Sequence, residues 1–339
     1  MLGSHWPLPI ALASFALSAV VLVIVGVRLA KVVDQLADRT GIGEAVAGAV
    51  LLGATTSLPG LVTTIVGAIA GEASFALSNA LGGIAAQTMF LALADLSYPR
   101  ANLEHAAASI PNLLQALTLI VLVALVFVGV TTPHLSFLGL HAVTPMLPIV
   151  YVYGLKMARR SHDAPMWWPH RTVETRTDVP DKDSKHSPLI RLWMQFALMA
   201  AVVALTGFIV GHAGLSIVAE TGIRGSVVGG LLTSVVTSLP ELVTVFAAVR
   251  IGALTLAVGD IVGGNVFDVL FVFAADIAYR SGSIYGAVDS VTTFLLGLTV
   301  LMTATLAAGL VYREKKGIGF EGISLLFLYA AGVAIIVTL

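Results

Sequence analysis

The sequence predicts an all-α polytopic membrane protein, ten transmembrane helices arranged as two inverted five-helix repeats. Three observations carry that prediction: an apolar composition, ten apolar runs of spanning length, and a self-match at an offset of 181 residues. Of 339 residues, 58% are hydrophobic and 11% charged, with a mean hydropathy of +0.97. A soluble domain of this length carries about 25% charged residues, so the solvent of most of this chain is a bilayer. The absence of cysteine rules out disulfides and thiolate metal sites and leaves the redox compartment open. The net charge of −1 says nothing by itself about nucleic acid, and no nucleic-acid partner is expected of this membrane chain. The N-terminal "MLGSHWPLPIAL" lacks the basic region of a secretory signal, so the first apolar run reads as a retained span.

A helix crossing the hydrocarbon core needs roughly 20 apolar residues. Runs of that kind fall near 8–30, 42–70, 73–97, 108–130, 135–157, 190–217, 225–249, 253–278, 287–311 and 318–338. Nearly all connections are short. The exception is the polar, proline-containing stretch 158–189, which divides the chain into an N-terminal half, 1–157, and a C-terminal half, 190–339. Lys and Arg accumulate on the cytoplasmic side of membrane proteins. With 158–189 cytoplasmic and both termini outside, sixteen of the eighteen basic residues fall inside, among them Arg28, Lys31, Arg100, Arg159, Arg160, Arg250, Arg313 and Lys315. Only Arg224 and Arg280 fall outside, and one missed helix would scramble the split. The expected location is the plasma (inner) membrane.

The self-match lays 40–99 over 221–280 without a gap, with 21 of 60 positions identical. Thr56/Thr237, Ser57/Ser238, Pro59/Pro240, Gly82/Gly263, Gly83/Gly264 and Asp95/Asp276 coincide. Chance supplies Ala, Val and Leu matches between apolar segments; a T-S-L-P string, a double glycine and an aspartate in register need a duplication. An odd number of spans per half makes equivalent helices run in opposite directions. Inverted repeats of this kind build many secondary transporters, with the site near the bilayer midplane.

T-S-L-P carries the chemistry. A proline cannot donate to the carbonyl four residues back, so Pro59 is expected to free the oxygen of Thr55, and Pro240 that of Val236. Thr56, Ser57, Thr237 and Ser238 put hydroxyls beside those carbonyls, and Glu241 adds a carboxylate after the second string only; Gly60 stands in the first. In the following spans, Asn79, Gly83, Gln87 and Asp260, Gly264, Asp268 each form an i, i+4, i+8 stripe, where glycine lets a neighbouring backbone approach. All of these are oxygen ligands suited to hard cations. A proline kink or a small-residue stripe also serves plain helix packing. A midspan carboxylate is harder to explain so, since it costs roughly 3 kcal/mol on insertion scales, and Glu241 and Asp268 are therefore the candidate metal-cation ligands. Asp95 and Asp276, near span ends, read as packing or solvated groups, and His212 as a satisfied or pore-exposed histidine. No nucleophile–base set or zinc motif points to an enzyme.

"TSLPEL" followed by "GDIVGGNVFDVL" resembles the second alpha-repeat of the calcium/cation antiporter superfamily, to which the sodium/calcium exchangers belong; "TSLPGL" with "SNALGGIAAQT" resembles a degenerate first repeat. The resemblance implies a secondary active antiporter exchanging Ca²⁺ or a similar cation against Na⁺ by alternating access, without a cofactor. It implies that Thr237, Ser238, Glu241 and Asp268, with Thr56, Ser57 and Gln87, surround the cations. The sequence departs from the family at Gly60, where an acid is usual, at Gln87, and at Gly83 and Gly264, where serine is usual. The alternatives are a cation/proton antiporter of altered stoichiometry and a relative that does not transport, retained for a structural or regulatory role.

Overall fold

The computed structural model describes residues 5–40, 51–98, 102–137, 139–163, 166–167, 188–251, 254–312 and 317–339. It is predominantly helical. Helix α1 spans Leu8–Thr40, and a short α2 (Gly53–Thr56) and α3 (Leu58–Ile69) make one interrupted segment. Then come α4 (Ala73–Leu96), the one-turn α5 (Leu103–Ala106), α6 (Ile110–Thr131) and α7 (Met146–Asp163). The second half runs α8 (Leu189–Thr221), α9 (Gly225–Val227), a π-helical turn Val228–Thr233, α10 (Ser234–Thr237) and α11 (Leu239–Ile251). It ends with α12 (Leu254–Asp268), α13 (Leu270–Ala278), α14 (Ser290–Val311) and α15 (Phe320–Thr338).

Local chemistry sets the ends. Ser109 caps α6, its hydroxyl accepting the Asn112 amide at 3.2 Å, with Pro111 in the first turn where its missing N–H costs nothing. Gly222, at φ +71, closes α8 in the left-handed conformation that lacks a penalty only for glycine. Asp289 caps α14 through the Thr292 amide (3.0 Å) and hydroxyl (2.8 Å).

Seven helices among the described residues are long and apolar enough to cross a membrane, and an eighth if Gly225–Thr237 and Leu239–Arg250, bent by 43°, count as one. One of the expected spans differs, and one is described only in part. Of the run at 42–70, only residues from 51 onward are described, and α3 has 12 residues. The run at 135–157 becomes a hairpin, Ser136–Phe137 against Leu140–His141, followed by α7 from Met146. Two features account for it: Gly139 takes φ +81, and the carboxylate of the sequence-distant Asp276 accepts both the His141 amide (3.0 Å) and the Thr144 hydroxyl, drawing the chain out of the helical path. The α7 helix also carries Lys156, Arg159, Arg160 and Asp163 in its last turns, so it reaches into the stretch assigned to the polar loop. Beyond it, apart from 166–167 and the residues from 188, the loop lies outside the described residues, as do Arg100, Arg313 and Lys315.

Burial ranks the helices. In α4, 89% of the spanning window is buried, against 22% in α1, so α4 is the centre and α1 lies at the periphery. Helices α1 and α8 pack along each other outside this core, α1 also touching α11 and α8 touching α3. Two contacts recur here at the 181-residue offset. A Cβ on Gly26 would lie 3.0 Å from Pro240 Cα, and one on Gly207 would lie 2.5 Å from Pro59 Cα. Each glycine thus admits the kinked backbone of the opposite half, and the Thr63 hydroxyl adds a hydrogen bond to the Gly207 carbonyl at 2.8 Å. Asp95 and Asp276 behave alike as well, accepting the amides of Leu103 and Ile284 at 2.8 Å; both are buried and anchor loops, rather than being solvated as one of the two sequence readings had it.

Candidate cation site

Both T-S-L-P strings break their helices at the serine. Ser57 separates α2 from α3, and Ser238 separates α10 from α11, each preceded by π-helical turns at 51–52 and 228–233. One expectation fails at these breaks. A backbone N–H of the tightened turn donates to the Thr55 carbonyl, and another to that of Val236, so neither oxygen is left free. The turn supplies the donor that the proline lacks.

The breaks meet the middle of α4 and the end of α12 around a small cavity of about 10 Å³, room for one water-sized sphere. Its walls include Ser57, Gly60, Asn79, Gly83, Gln87, Thr237, Ser238, Glu241, Asp268 and Phe271. Glu241 is 3%, Gln87 2% and Asp268 1% exposed, so these polar groups are removed from bulk water. Gln87 Nε2 donates to Asp268 Oδ2 at 2.7 Å and to Ser238 Oγ at 3.4 Å. Ser57 Oγ donates to Glu241 Oε1 at 3.4 Å and also interacts with the Asp268 carboxyl. Gln87 and Asp268 are repeat equivalents, and they bond directly to each other.

Three acceptor oxygens here have no hydrogen-bond partner among the described residues: Glu241 Oε2, Asp268 Oδ1 and Gln87 Oε1. Buried polar atoms are nearly always paired, and an unpaired one costs about 1–3 kcal/mol, more when charged. Three such acceptors belong to residues lining one cavity that has no basic side chain in its wall, an oxygen-rich set suited to a hard cation.

The other sequence candidates fall in the surroundings. Asn79 lines the cavity but its polar atoms are used: Nδ2 donates to Gly60 O (3.1 Å) and Thr64 Oγ1 (2.9 Å), and Oδ1 accepts from Thr233 (2.7 Å). It staples three segments together. Asp260 accepts the Thr244 hydroxyl at 3.0 Å and lies outside the cavity wall, as do Thr55, Thr56 and Val236. The Thr56 hydroxyl donates back to the carbonyls of Leu52 and Gly53 across the π turn, at 3.0 Å each. Gly264 stands 3.6 Å from Gln87 Oε1 and Gly83 3.5 Å from Ser238 Oγ, both measured from an added Cβ. These are ordinary contacts with side chains, so the close backbone approach expected of the two stripes is absent there. It occurs one residue earlier, at Gly82, whose Cβ would sit 2.2 Å from the Gly230 carbonyl oxygen. Phe271 was not among the sequence candidates; its only sequence signal is identity with Phe90 across the repeat.

Fold and site define a helical integral membrane protein with a buried, oxygen-lined cavity. Residues 10–152 and 191–338 match the family model of the sodium/calcium exchanger protein, and the chain belongs to that family. It is 28% identical over 261 residues, 76% of each chain, to the inner membrane protein YrbG of Escherichia coli K12. It is 25% identical over 116 residues, 34% of this chain and 32% of the other, to the sodium/calcium exchanger MaX1 of Methanosarcina acetivorans. Structures of the sodium-calcium exchanger NCX_Mj soaked with Na⁺ and Ca²⁺ or Sr²⁺ share the fold. One superposes with a TM-score of 0.64 at 18% identity over 96% of this chain and 98% of that one; another reaches 0.65 over 97% and 99%.

Proposed function

We propose that this protein is a secondary active antiporter that exchanges Ca²⁺ or a similar cation against Na⁺ by alternating access, with its site at the bilayer midplane. The observation that carries the reading is the trio of unpaired acceptors, Glu241 Oε2, Asp268 Oδ1 and Gln87 Oε1, around one cavity. With both carboxylates ionised the centre holds about −2, which one Ca²⁺ or two monovalent ions neutralise; an unneutralised buried charge pair is costly. Thr237, Ser238 and Ser57 complete the oxygen set. The architecture in this reading is ten spans in two inverted halves, 1–157 and 190–339, joined by a cytoplasmic 158–189, with both termini outside. The mirrored contacts Gly26–Pro240 and Gly207–Pro59 support it, as does the Gln87–Asp268 bond between repeat equivalents. They also favour α1 and α8 as the moving pair, rocking over a core of α2–α4 and α9–α13.

A second reading makes the proton the coupling ion. It is favoured by the lack of a basic side chain in the cavity wall, because a cation-free state must then shed the pair's charge by protonation. Reconstitution into liposomes with imposed Na⁺, K⁺ or H⁺ gradients decides between them. The expected outcome is Ca²⁺ uptake driven by an opposing Na⁺ gradient and lost in Glu241→Gln and Asp268→Asn. Uptake driven only by a pH gradient selects the second reading; uptake unchanged in both variants removes the site assignment, and no cation flux under any gradient marks a relative that does not transport.

A further inference from the structure

We propose that Phe271 is a specificity-determining residue: its ring occupies the place an acid at position 60 would need, and so limits how many cations the centre holds. The inference rests on the antiporter reading and names what shapes its stoichiometry. A Cβ built on Gly60 would lie 2.8 Å from Phe271 Cε2 and 3.6 Å from Cζ, so any side chain at 60 meets the ring edge at once. The ring is 3% exposed and forms part of the cavity wall. Nor is it free to swing aside. Phe271 meets Phe267 edge-on, with centroids 6.1 Å apart and planes at 88°, and Phe267 meets Tyr151 in the same manner at 6.1 Å and 65°.

The Gly60 corner offers a cation little else. Its carbonyl accepts the Asn79 amide at 3.1 Å, so it presents no carboxylate and a carbonyl already engaged. Phe90, at the position matching Phe271 in the self-match, does not line the cavity, so of this pair only the Phe271 ring contributes to its wall. Glycine at 60 and phenylalanine at 271 thus form a matched pair, one small because the other is large. The centre is held at two carboxylates by packing as well as by sequence.

The test uses the full chain with Phe271→Ala, Gly60→Gln, Gly60→Glu and the two corresponding double variants. In detergent, Gly60→Gln is expected to lower the melting temperature by several degrees, and Phe271→Ala in the same chain to restore much of the loss. Overpacking relieved by a neighbouring truncation gives strong non-additivity of this kind. In liposomes, Gly60→Glu/Phe271→Ala is expected to raise the Hill coefficient for Na⁺ by about one, since an added carboxylate is neutralised by one added monovalent ion; Gly60→Glu alone is expected not to. Additive melting shifts overturn the pairing. A Hill coefficient equal in Gly60→Glu and the double variant overturns the limit on cation number. A wild-type chain that moves no cation defeats the antiporter reading and with it the limit on cation number, whereas the melting arm separately decides whether Phe271 stands in the acid's place.

Discussion

The two halves of the candidate cation centre use the same kinked frame with different chemistry. In the second half, Glu241 follows the break at Ser238, and Asp268 is the last residue of α12, where the helix interrupts before α13. In the first half, Gly60 follows the break at Ser57, and Gln87 sits in the middle of α4, which runs unbroken from Ala73 to Leu96. One half carries the charge and a second helix break; the other carries an amide and a continuous, almost fully buried helix. The difference teaches that two segments matching at T-S-L-P can share their kinks and hydroxyls while differing in charge.

The largest expected effect strikes this asymmetry directly. Glu241→Gln should weaken cation binding by about 3 kcal/mol or more, roughly a hundredfold, because it removes a buried charge with an unpaired oxygen on a cavity-lining residue. Gln87→Ala should cost less, since only a neutral ligand is lost, and direct titration of Ca²⁺ against the purified variants ranks the two. Equal losses would show that the halves contribute alike.

A second prediction concerns the mirrored glycines. Gly207→Ala should destabilise the protein by about 1–3 kcal/mol, because its Cβ meets the Pro59 backbone at 2.5–2.6 Å. Gly26→Ala, at 3.0 Å from Pro240, should cost visibly less. Thermal unfolding in detergent checks the order, and a reversed order would break the picture of a tighter α8 contact.

The smallest effect belongs to Asp289, which ties the start of α9 to α14 by accepting the Ser226 hydroxyl. Burial pushes its carboxyl up, but the hydrogen bonds from Ser226 and Thr292, with Arg224 nearby, hold it below the usual carboxylate range. A depressed carboxylate stabilises the fold above its unfolded pKa and loses that contribution as pH falls through the folded value. Asp289→Ala should therefore cost about 1 kcal/mol, typical of a lost cap, at any pH from 5 to 8, and less in strong acid. Melting curves against pH measure it.

Much of this molecule was legible in the chain. The spacing of Thr56, Ser57 and Pro59 against Thr237, Ser238 and Pro240 located both breaks, and a carboxylate in an apolar run marked Glu241 and Asp268, because such a group is hard to bury without a task. The cavity gathers Ser57, Gln87, Thr237, Ser238, Glu241 and Asp268 from four separate segments. Less legible was the fate of the backbone: the carbonyls of Thr55 and Val236 looked free because the proline rule counts only the donor four residues on, whereas the real turn tightens and supplies another. The span at 135–157 misled for a similar reason, since its apolar residues carry no sign that Asp276, far along the chain, takes the His141 amide and the Thr144 hydroxyl.

By itself the sequence determined the solvent, the helical class and the self-match at 181 residues, and it singled out candidate ligands, since those follow from composition and from spacing along one strand of chain. Only the tertiary structure decided which atoms are left unpaired and what fills the space at Gly60. Whether Asn79 is ligand or staple, and whether Phe271 faces lipid or the cavity, depends on which surfaces of α3, α4, α12 and α13 meet, and close packing fixes that jointly for residues that are remote in sequence.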